Sequence, residues 1–288
     1  MSDDEATLIA ACAEARRIAP DLCETDPDTG ESCAWYHGFW PYLHALNVTT
    51  RPDHHGAFYT ETIGALARAG SRRVLISGSA DFNMLQRVFT AFDDADTTPE
   101  VVFLDRCPTA VALAQWYAAR VGRTVDARVS NILDFADGPF DIVCTHSFMG
   151  YFTDTQRRQL ARKWASLLRP GGKVVTINRV RPGMTEELGF TAEQAKRFAE
   201  TVRQAALART PPLDIGADAL AEAAALYAVN FRIRPISALS VLEHFFADNG
   251  FDIERMDGRV VAGYEGKRAA GPTTPDGANY IHMIATRR

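Results

Sequence analysis

The fold of this chain is decided by two stretches, RVLISGSAD at residues 73–81 and VVFLD at residues 101–105. In the first, an apolar run ends at a turn of small residues, and in the second an apolar run ends on a carboxylate. The residues between them suffice for one helix, so the pattern predicts a strand, a helix and a second, parallel strand. Such a unit brings backbone N–H groups, a helix N-terminus and a carboxylate to one edge of an open sheet, where nucleosides bind.

The composition is typical of an ordinary globular protein. Of 288 residues, 47% are hydrophobic and 23% are charged, and the formal net charge is -5. An acidic chain is a poor electrostatic partner for nucleic acid. No apolar run approaches the roughly 20 residues of a membrane span, and the acidic N-terminus lacks the basic and apolar regions of a signal peptide. We therefore expect a cytoplasmic protein that binds neither nucleic acid nor membrane.

The cysteines and histidines show no familiar metal-binding pattern. The five cysteines are odd in number and widely spaced, without a Cys-x-x-Cys pair, which argues against a disulfide framework or a zinc site. His54 and His55 are adjacent, so on a helix their side chains would diverge. We therefore expect chemistry without a metal ion.

The rest of the sequence places the opening unit in a larger sheet. Helices are expected over residues 7–18 and 52–70, with an aromatic cluster between them that includes Trp35 and Trp40. Short β-branched runs then alternate with helical patterns, which indicates a parallel sheet covered on both faces. The expected strands are 73–77, 101–105, 124–129, 140–145 and 173–177, and the helices between them are 82–92, 108–121 and 154–168. Helices at 192–208, 217–230 and 238–249 precede an expected antiparallel hairpin of 251–261 and 280–286.

Several of these features together resemble the class I S-adenosylmethionine-dependent methyltransferases. Gly78 follows the first strand, Asp105 ends the second, and Asn131 follows the third, where that family usually has an Asp that contacts the adenine amino group. The block LLRPGG at residues 167–172 precedes the fifth strand. The resemblance implies an α/β, Rossmann-like fold with a mostly parallel sheet of seven strands, the last one reversed, and S-adenosylmethionine as the cofactor.

The resemblance covers residues 71–180 and 238–288, and it suggests a division of the chain. Residues 1–70 are expected to form an N-terminal helical lid, and residues 71–288 the S-adenosylmethionine-binding domain. A helical cap is expected as an insertion at about 181–237. Lid and cap together would enclose the acceptor.

The resemblance also assigns residues to the cofactor. Asp105 is expected to accept hydrogen bonds from the ribose hydroxyls, and Asp134 competes with Asn131 for the adenine contact. The glycine-rich turn departs from the family pattern, because Ile76 replaces its acidic residue and Phe82 its third glycine. The expected cofactor-binding residues are Gly78, Ser79, Asp81, Asp105, Arg106, Asn131, Ile132 and His146.

The segment THSFMGY at residues 145–151 is expected beside the cofactor sulfur and the acceptor. His146 can act there as a general base or an orienting donor, because its ordinary pKa is near 6.5, or it can pack under the cofactor. The aromatic cluster either holds the N-terminal helices to the domain or lines a substrate pocket. The expected catalytic residues are His146 and Tyr151, and the expected substrate contacts are Tyr36, His37, Tyr59 and Tyr151.

The favoured function is transfer of the methyl group of S-adenosylmethionine to an O, N or S atom of a small molecule. The Asn/Asp-Pro-Pro-Tyr motif of methyltransferases that act on DNA bases or protein amides is absent, and an extensive cap suits a small acceptor. A nicotinamide cofactor is disfavoured because Asp81 would repel its pyrophosphate. Two alternatives stay open: attack on the aminobutyrate chain of the same cofactor with release of methylthioadenosine, and a non-catalytic binding protein. A homodimer also stays open.

Overall fold

The computed structural model describes residues 3–25, 32–49, 52–260 and 279–288. None of the helices in these ranges is both long and apolar enough to cross a membrane. The N-terminal helices are α1 (Asp3–Leu22), α2 (Ala34–His37), α3 (Trp40–Ala45) and α4 (Gly56–Arg68). They are followed by β1 (Arg73–Ser77), α5 (Asn83–Asp93), β2 (Glu100–Asp105), α6 (Pro108–Arg120), β3 (Asp126–Val129), β4 (Phe140–His146), α7 (Asp154–Leu167) and β5 (Leu168–Val180). The chain then forms α8 (Ala192–Ala208), α9 (Ala217–Asn230), α10 (Leu239–Ala247), β6 (Phe251–Val260) and β7 (Asn279–Arg287), and short 3-10 helices lie at Pro52–His55 and Met149–Tyr151.

The seven strands form one sheet in the order β3-β2-β1-β4-β5-β7-β6. The pairs from β3 to β5 are parallel, whereas β7 is antiparallel to both β5 and β6. Ile76 at the centre of the sheet pairs with Phe103 on one side and Cys144 on the other. The expected Rossmann-like sheet with a reversed last strand is confirmed. The winding direction changes between β1 and β4, which is where open α/β sheets form their ligand crevice.

β5 and α1 differ most from the expected boundaries. β5 begins at Leu168 and ends at Val180, because Gly171 adopts a φ of 75° and a bulge opposite β4 accommodates the Pro-Gly-Gly block within the strand. α1 continues through Pro20 to Leu22, so the proline removes one backbone donor without ending the helix. The hairpin of β6 and β7 is confirmed, while residues 261–278, including the end of its expected first strand, lie outside the described residues.

Each face of the sheet carries its own core. On one face, Ile76 belongs to a buried cluster with Leu43 and Tyr59 of the N-terminal helices and Tyr227 of α9. On the other face, α7 and α10 cover the sheet, and the indole of Trp164 is fully buried there. The N-terminal helices therefore share a core with the sheet, and their action as a separate lid stays a prediction.

Arg157 of α7 fixes the segment that follows helices α8 and α9. Its side chain is 2% exposed. The guanidinium donates to the carbonyl oxygens of Met149, Arg234 and Pro235 at 3.0, 2.6 and 3.2 Å. Asp154 pairs with it at 2.7 Å. Because hydrogen bonds from a charged donor are strong, residues 234–235 are held firmly to the sheet side of the molecule.

Candidate active site

A cavity of about 630 Å³ opens at the carboxyl ends of the parallel strands. This volume lies within the range of small-molecule and cofactor sites. β1, β2 and β4 end at it, so the turn after β1, Asp105 and His146 converge on one space. Every site residue expected from the sequence lines this cavity except Tyr59, which is buried behind it.

Asp105 is positioned by two backbone donors. The N–H of Cys107 donates to Oδ1 at 2.8 Å, and the N–H of Ser79 donates to Oδ2 at 3.2 Å. The second bond joins the turn after β1 to the tip of β2, so the two stretches that predicted the fold form one unit. Burial raises the pKa of Asp105, although the nearby His37 and both N–H donors act against that shift. Each carboxylate oxygen still has acceptor capacity, as binding of two ribose hydroxyls requires.

Asp81 lines the cavity, but its carboxylate already has protein partners. It is 2% exposed, and Oδ1 accepts from the N–H of Asn83 at 2.9 Å. Oδ2 accepts from the Asn83 amide at 2.6 Å and lies 3.1 Å from Nδ1 of His44. Burial would raise the pKa of Asp81, but His44 and Asn83 lower it overall. Asp81 thus accepts a hydrogen bond from the N–H of Asn83, the first residue of α5, whereas a cofactor contact stays a prediction.

The loop after β3 forms the wall next to Asp105. Oδ1 of Asn131 accepts from the N–H of Leu133 at 3.1 Å, and Ile132 presents a buried apolar side chain. Arg106 lines the cavity from the tip of β2. Asp134 is exposed and does not line the cavity, so the geometry favours Asn131 over Asp134 for the adenine contact.

The turn after β1 is closed by an aromatic ring. Gly78 has a φ of 72°, and a Cβ added there would lie 2.2 Å from Cε2 of Phe148. Both the left-handed backbone and the close ring therefore require glycine. Phe82, which replaces the third glycine of the family pattern, is buried and stacks on Tyr117 with ring centroids 4.6 Å apart. That departure therefore serves core packing.

His146 ends β4, and its contact with the Tyr59 hydroxyl determines which ring nitrogen carries the hydrogen. The Tyr59 hydroxyl donates to the carbonyl oxygen of Thr145 at 2.9 Å and lies 3.1 Å from Nδ1 of His146. Since a hydroxyl has a single hydrogen, the His146 Nδ1–H must donate to Tyr59, which leaves Nε2 as the acceptor. Nε2 is buried and has no protein partner among the described residues. Burial, aided by nearby histidines, holds the pKa of His146 well below its usual value.

A second buried histidine lies beside His146. The ring centroids of His55 and His146 are 5.5 Å apart, and Nδ1 of His55 lies 2.9 Å from Nε2 of His282. Burial and the charge of His282 lower the pKa of His55 to about 3. His55 and His146 are therefore neutral in the folded protein at physiological pH.

Tyr36 and Tyr151 meet at the mouth of the cavity. Their hydroxyl oxygens are 3.1 Å apart, although the residues come from the N-terminal helices and from the segment after β4. Tyr36 also stacks on Trp40 and on Tyr227 of α9, with centroids 5.0 and 6.0 Å apart. The same rings thus hold the helices together and line the cavity, whereas their contact with a substrate stays a prediction. His37 differs, since it is buried and turned toward the thiols of neighbouring cysteines.

Two buried arginines line the cavity and were not expected from the sequence. β5 continues past residue 177 to Val180, so Arg179 lies in the strand and Arg181 directly follows its end, and both line the cavity. They are 8% and 3% exposed. Burial, with a contribution from Arg179, lowers the pKa of Arg181 to about 9, so that it is charged at neutral pH. Among the described residues, no carboxylate pairs with Arg181. The signal that could have found them is two arginines spaced by two at a strand end.

One family comparison bears on these residues. Residues 87–172 match the model of a family described as a methyltransferase domain. The matched segment runs from α5 into β5, so it includes Asp105, Asn131 and His146. No curated protein matches the sequence at a significant level.

Several solved structures are similar over most of the chain. The N-methyltransferase NodS from Bradyrhizobium japonicum WM9 is 13% identical, with 79% of this chain and 93% of that chain covered and a TM-score of 0.45. Magnesium protoporphyrin IX methyltransferase ChlM from Synechocystis PCC 6803, with S-adenosylhomocysteine bound, is 10% identical, with 86% and 94% covered and a TM-score of 0.48. The S-adenosylmethionine-dependent methyltransferase SibL is 16% identical, with 99% and 70% covered and a TM-score of 0.48.

Proposed function

We propose that this chain is a class I S-adenosylmethionine-dependent methyltransferase and that it methylates an O, N or S atom of a small-molecule acceptor that carries an anionic group. The observation that carries the proposal is Arg181, a buried cation in the cavity wall without a carboxylate partner among the described residues. A buried charge is costly unless a partner compensates it. An anionic acceptor would supply that partner.

The cofactor fits the part of the cavity near β1, β2 and β3. Asp105 is half-buried there with acceptor capacity left on both oxygens, and Gly78 leaves the turn without a side chain. Asp105 would accept the ribose hydroxyls, and Asn131 and Ile132 would flank the adenine. When bound, S-adenosylmethionine supplies a methyl group made electrophilic by its sulfonium.

The acceptor would occupy the part of the cavity near β4 and β5. Neighbouring strands are about 4.8 Å apart, so β2 and β5, which are separated by β1 and β4, lie roughly 14 Å apart across the sheet. His146 ends the strand between the turn after β1 and Arg181. A small molecule can therefore place its nucleophile near His146 and its anionic group at Arg181.

His146 is suited to receive a proton from that nucleophile. Its Nδ1–H is donated to Tyr59, so Nε2 offers a lone pair, and its low pKa keeps the ring neutral. Positioning of the acceptor would supply most of the remaining rate enhancement. Tyr36 and Tyr151 at the cavity mouth would help to exclude water, as the predicted lid and cap require.

The acceptor class is testable without knowing the acceptor. A metabolite extract is separated by anion exchange into anionic and non-anionic fractions, and each is incubated with S-adenosylmethionine and the enzyme. We expect a product heavier by one methyl, together with S-adenosylhomocysteine, from the anionic fraction alone. Arg181→Gln should raise the KM for that acceptor at least about tenfold, the scale of a lost charged hydrogen bond, and should leave S-adenosylhomocysteine affinity unchanged.

Four other results would contradict the proposal. Methylation confined to the non-anionic fraction would remove the anionic group from the acceptor. Weaker S-adenosylhomocysteine binding by Arg181→Gln would assign Arg181 to the carboxylate of the cofactor. Methylthioadenosine as the main enzymatic product would favour the alternative reaction at the aminobutyrate chain, and absence of any product would favour a binding protein.

A further inference from the structure

Three thiols meet where the N-terminal helices contact the tip of β2. Cys23 follows α1, Cys33 precedes α2, and Cys107 precedes α6. The Sγ atom of Cys107 lies 3.5 Å from that of Cys23 and 3.7 Å from that of Cys33. All three Sγ atoms lie within 4.8 Å of one another, and none is in a disulfide.

His37 lies next to the three thiols, although its ring nitrogens are not within 4.8 Å of all three sulfur atoms. Its ring lies within hydrogen-bonding reach of the thiols of Cys33 and Cys107, so it faces two of the three sulfur atoms. Nδ1 of His37 lies 3.4 Å from the carbonyl oxygen of Ala80. A backbone carbonyl that engages one ring nitrogen is the usual support of a histidine whose other nitrogen binds a metal.

The spacing of the sulfur atoms matches a tetrahedral site. With Zn–S bonds of about 2.3 Å, two thiolates of a tetrahedral zinc site lie about 3.8 Å apart. The two distances to Cys107 are close to this value. We propose that Cys23, Cys33, His37 and Cys107 bind one zinc-class divalent cation in a closed site.

Four protein ligands leave no open position, so this ion would be structural. Cys107 also donates its backbone N–H to Oδ1 of Asp105. The ion would therefore join the ends of α1 and α2 to the loop that positions the ribose-binding carboxylate. This inference is independent of the proposed methyl transfer. It opposes the expectation, based on the wide spacing of the cysteines, that the chain has no zinc site. That expectation did not consider a site assembled from segments distant in the sequence.

Metal content and a spectroscopic probe test the site. The full chain is purified without chelator from cells supplied with zinc, and its metal content is measured by mass spectrometry. We expect about one zinc ion per chain, as structural sites of this kind hold one ion. Cobalt(II), exchanged into the protein, should give the d–d bands of a tetrahedral site and sulfur-to-cobalt charge-transfer bands. Removal of the ion should lower the Tm, since binding to the folded state stabilises it.

Variants distinguish this site from other cysteines. Cys33→Ser should reduce the zinc content to less than half, and His37→Asn should weaken retention against a chelator. Cys12→Ala is the matched control, because Cys12 is a buried free thiol that does not belong to the group of three thiols. If Cys33→Ser fails to fold, the cobalt spectrum of the wild-type protein still decides. A metal-free wild-type protein without tetrahedral cobalt bands would overturn the proposal, as would a Cys23–Cys107 disulfide in the protein purified without oxidant.

Discussion

The hydroxyl of Tyr59 lies 3.1 Å from Nδ1 of His146 and gives its only hydrogen to the carbonyl of Thr145. This relationship determines which nitrogen of His146 can accept a proton. Tyr59 was expected to contact the substrate, but it is fully buried and lies behind the cavity. The structure instead makes it a positioning residue for His146.

Substitution of His146 tests its role as a base. With the acceptor found in the extract experiment, His146→Ala should lower kcat by about 10²–10⁴, the usual contribution of a positioned base. The loss should shrink at high pH, where the acceptor ionises without help. Tyr59→Phe should lower kcat by about tenfold, the scale seen when a supporting hydrogen bond is removed.

Calorimetry with S-adenosylhomocysteine provides the control for both variants, whose cofactor affinity should change little. Full turnover by His146→Ala would show that the ring only packs in the site. Loss of cofactor binding instead would place His146 in the cofactor pocket.

Substitution of Asp105 tests the ribose contact. Asp105→Ala removes acceptors of charge-assisted hydrogen bonds worth roughly 1.5–3 kcal/mol, so S-adenosylhomocysteine should bind at least about tenfold more weakly. Asp134→Asn is the matched control on the exposed side of the same wall and should bind normally. Calorimetry measures both, and an unchanged affinity for Asp105→Ala would remove this carboxylate from the site.

Gly78 and Gly171 have the same left-handed backbone conformation. Comparing their substitutions separates the cost of backbone strain from the cost of steric crowding. Gly171 has a φ of 75° and no atom within 4 Å of an added Cβ, whereas Gly78 has a φ of 72° and the Phe148 ring at 2.2 Å. Gly171→Ala should lower the free energy of unfolding by about 1–2 kcal/mol, the cost of left-handed backbone. Gly78→Ala should lower it further.

Urea unfolding measures the two glycine variants. Adding Phe148→Ala to Gly78→Ala should reduce the difference between them by relieving the crowding. Equal effects of the two single glycine substitutions would mean that Phe148 yields without cost.

The buried histidines predict a loss of stability in mild acid. The pKa of His55 is lowered to about 3, so between about pH 3 and 6.5 the unfolded chain binds a proton there that the folded protein does not. Stability therefore rises with pH across this window and falls as the pH drops through it. His55→Gln should reduce the slope by up to about 1.4 kcal/mol per pH unit.

Urea unfolding between pH 5 and 8 checks this dependence. The wild-type protein, unfolded under the same conditions, provides the reference slope. An identical slope in His55→Gln would mean that His55 takes up its proton in the folded state.

Local sequence patterns predicted the strands and turns that are determined by a few consecutive residues. The apolar runs before Gly78 and Asp105 were sufficient to place β1 and β2, because strand burial and turn chemistry act over a few residues. The tertiary partners were not predictable in this way. Asp81 is paired with His44, and Cys107 meets Cys23, 84 residues away in the chain. Such contacts depend on how the helices and strands pack against one another, and a single sequence contains little information about that packing.

Arg179 and Arg181 were missed for a different reason. The Pro-Gly-Gly block was taken to end a helix and start a strand at Lys173, with Ile177 as its last residue. The strand continues to Val180, so that Arg179 lies within it and Arg181 directly follows it. Both side chains line the cavity. A boundary error of a few residues therefore hid two of the charged groups in the candidate site.

The hydrogen bonds of Arg157 have a consequence for how this enzyme could be altered. They fix the chain at residues 234–235, while the cap helices α8 and α9 lie between that point and the end of β5. The segment that contains α8 and α9 begins at the end of β5 and ends at residues 234–235, which Arg157 holds. Neither attachment uses a residue of the two helices. A replacement for residues 182–232 would keep both attachments, so acceptor selectivity could diverge, or be engineered, provided that the new segment also fills the core that Tyr227 now shares with Ile76.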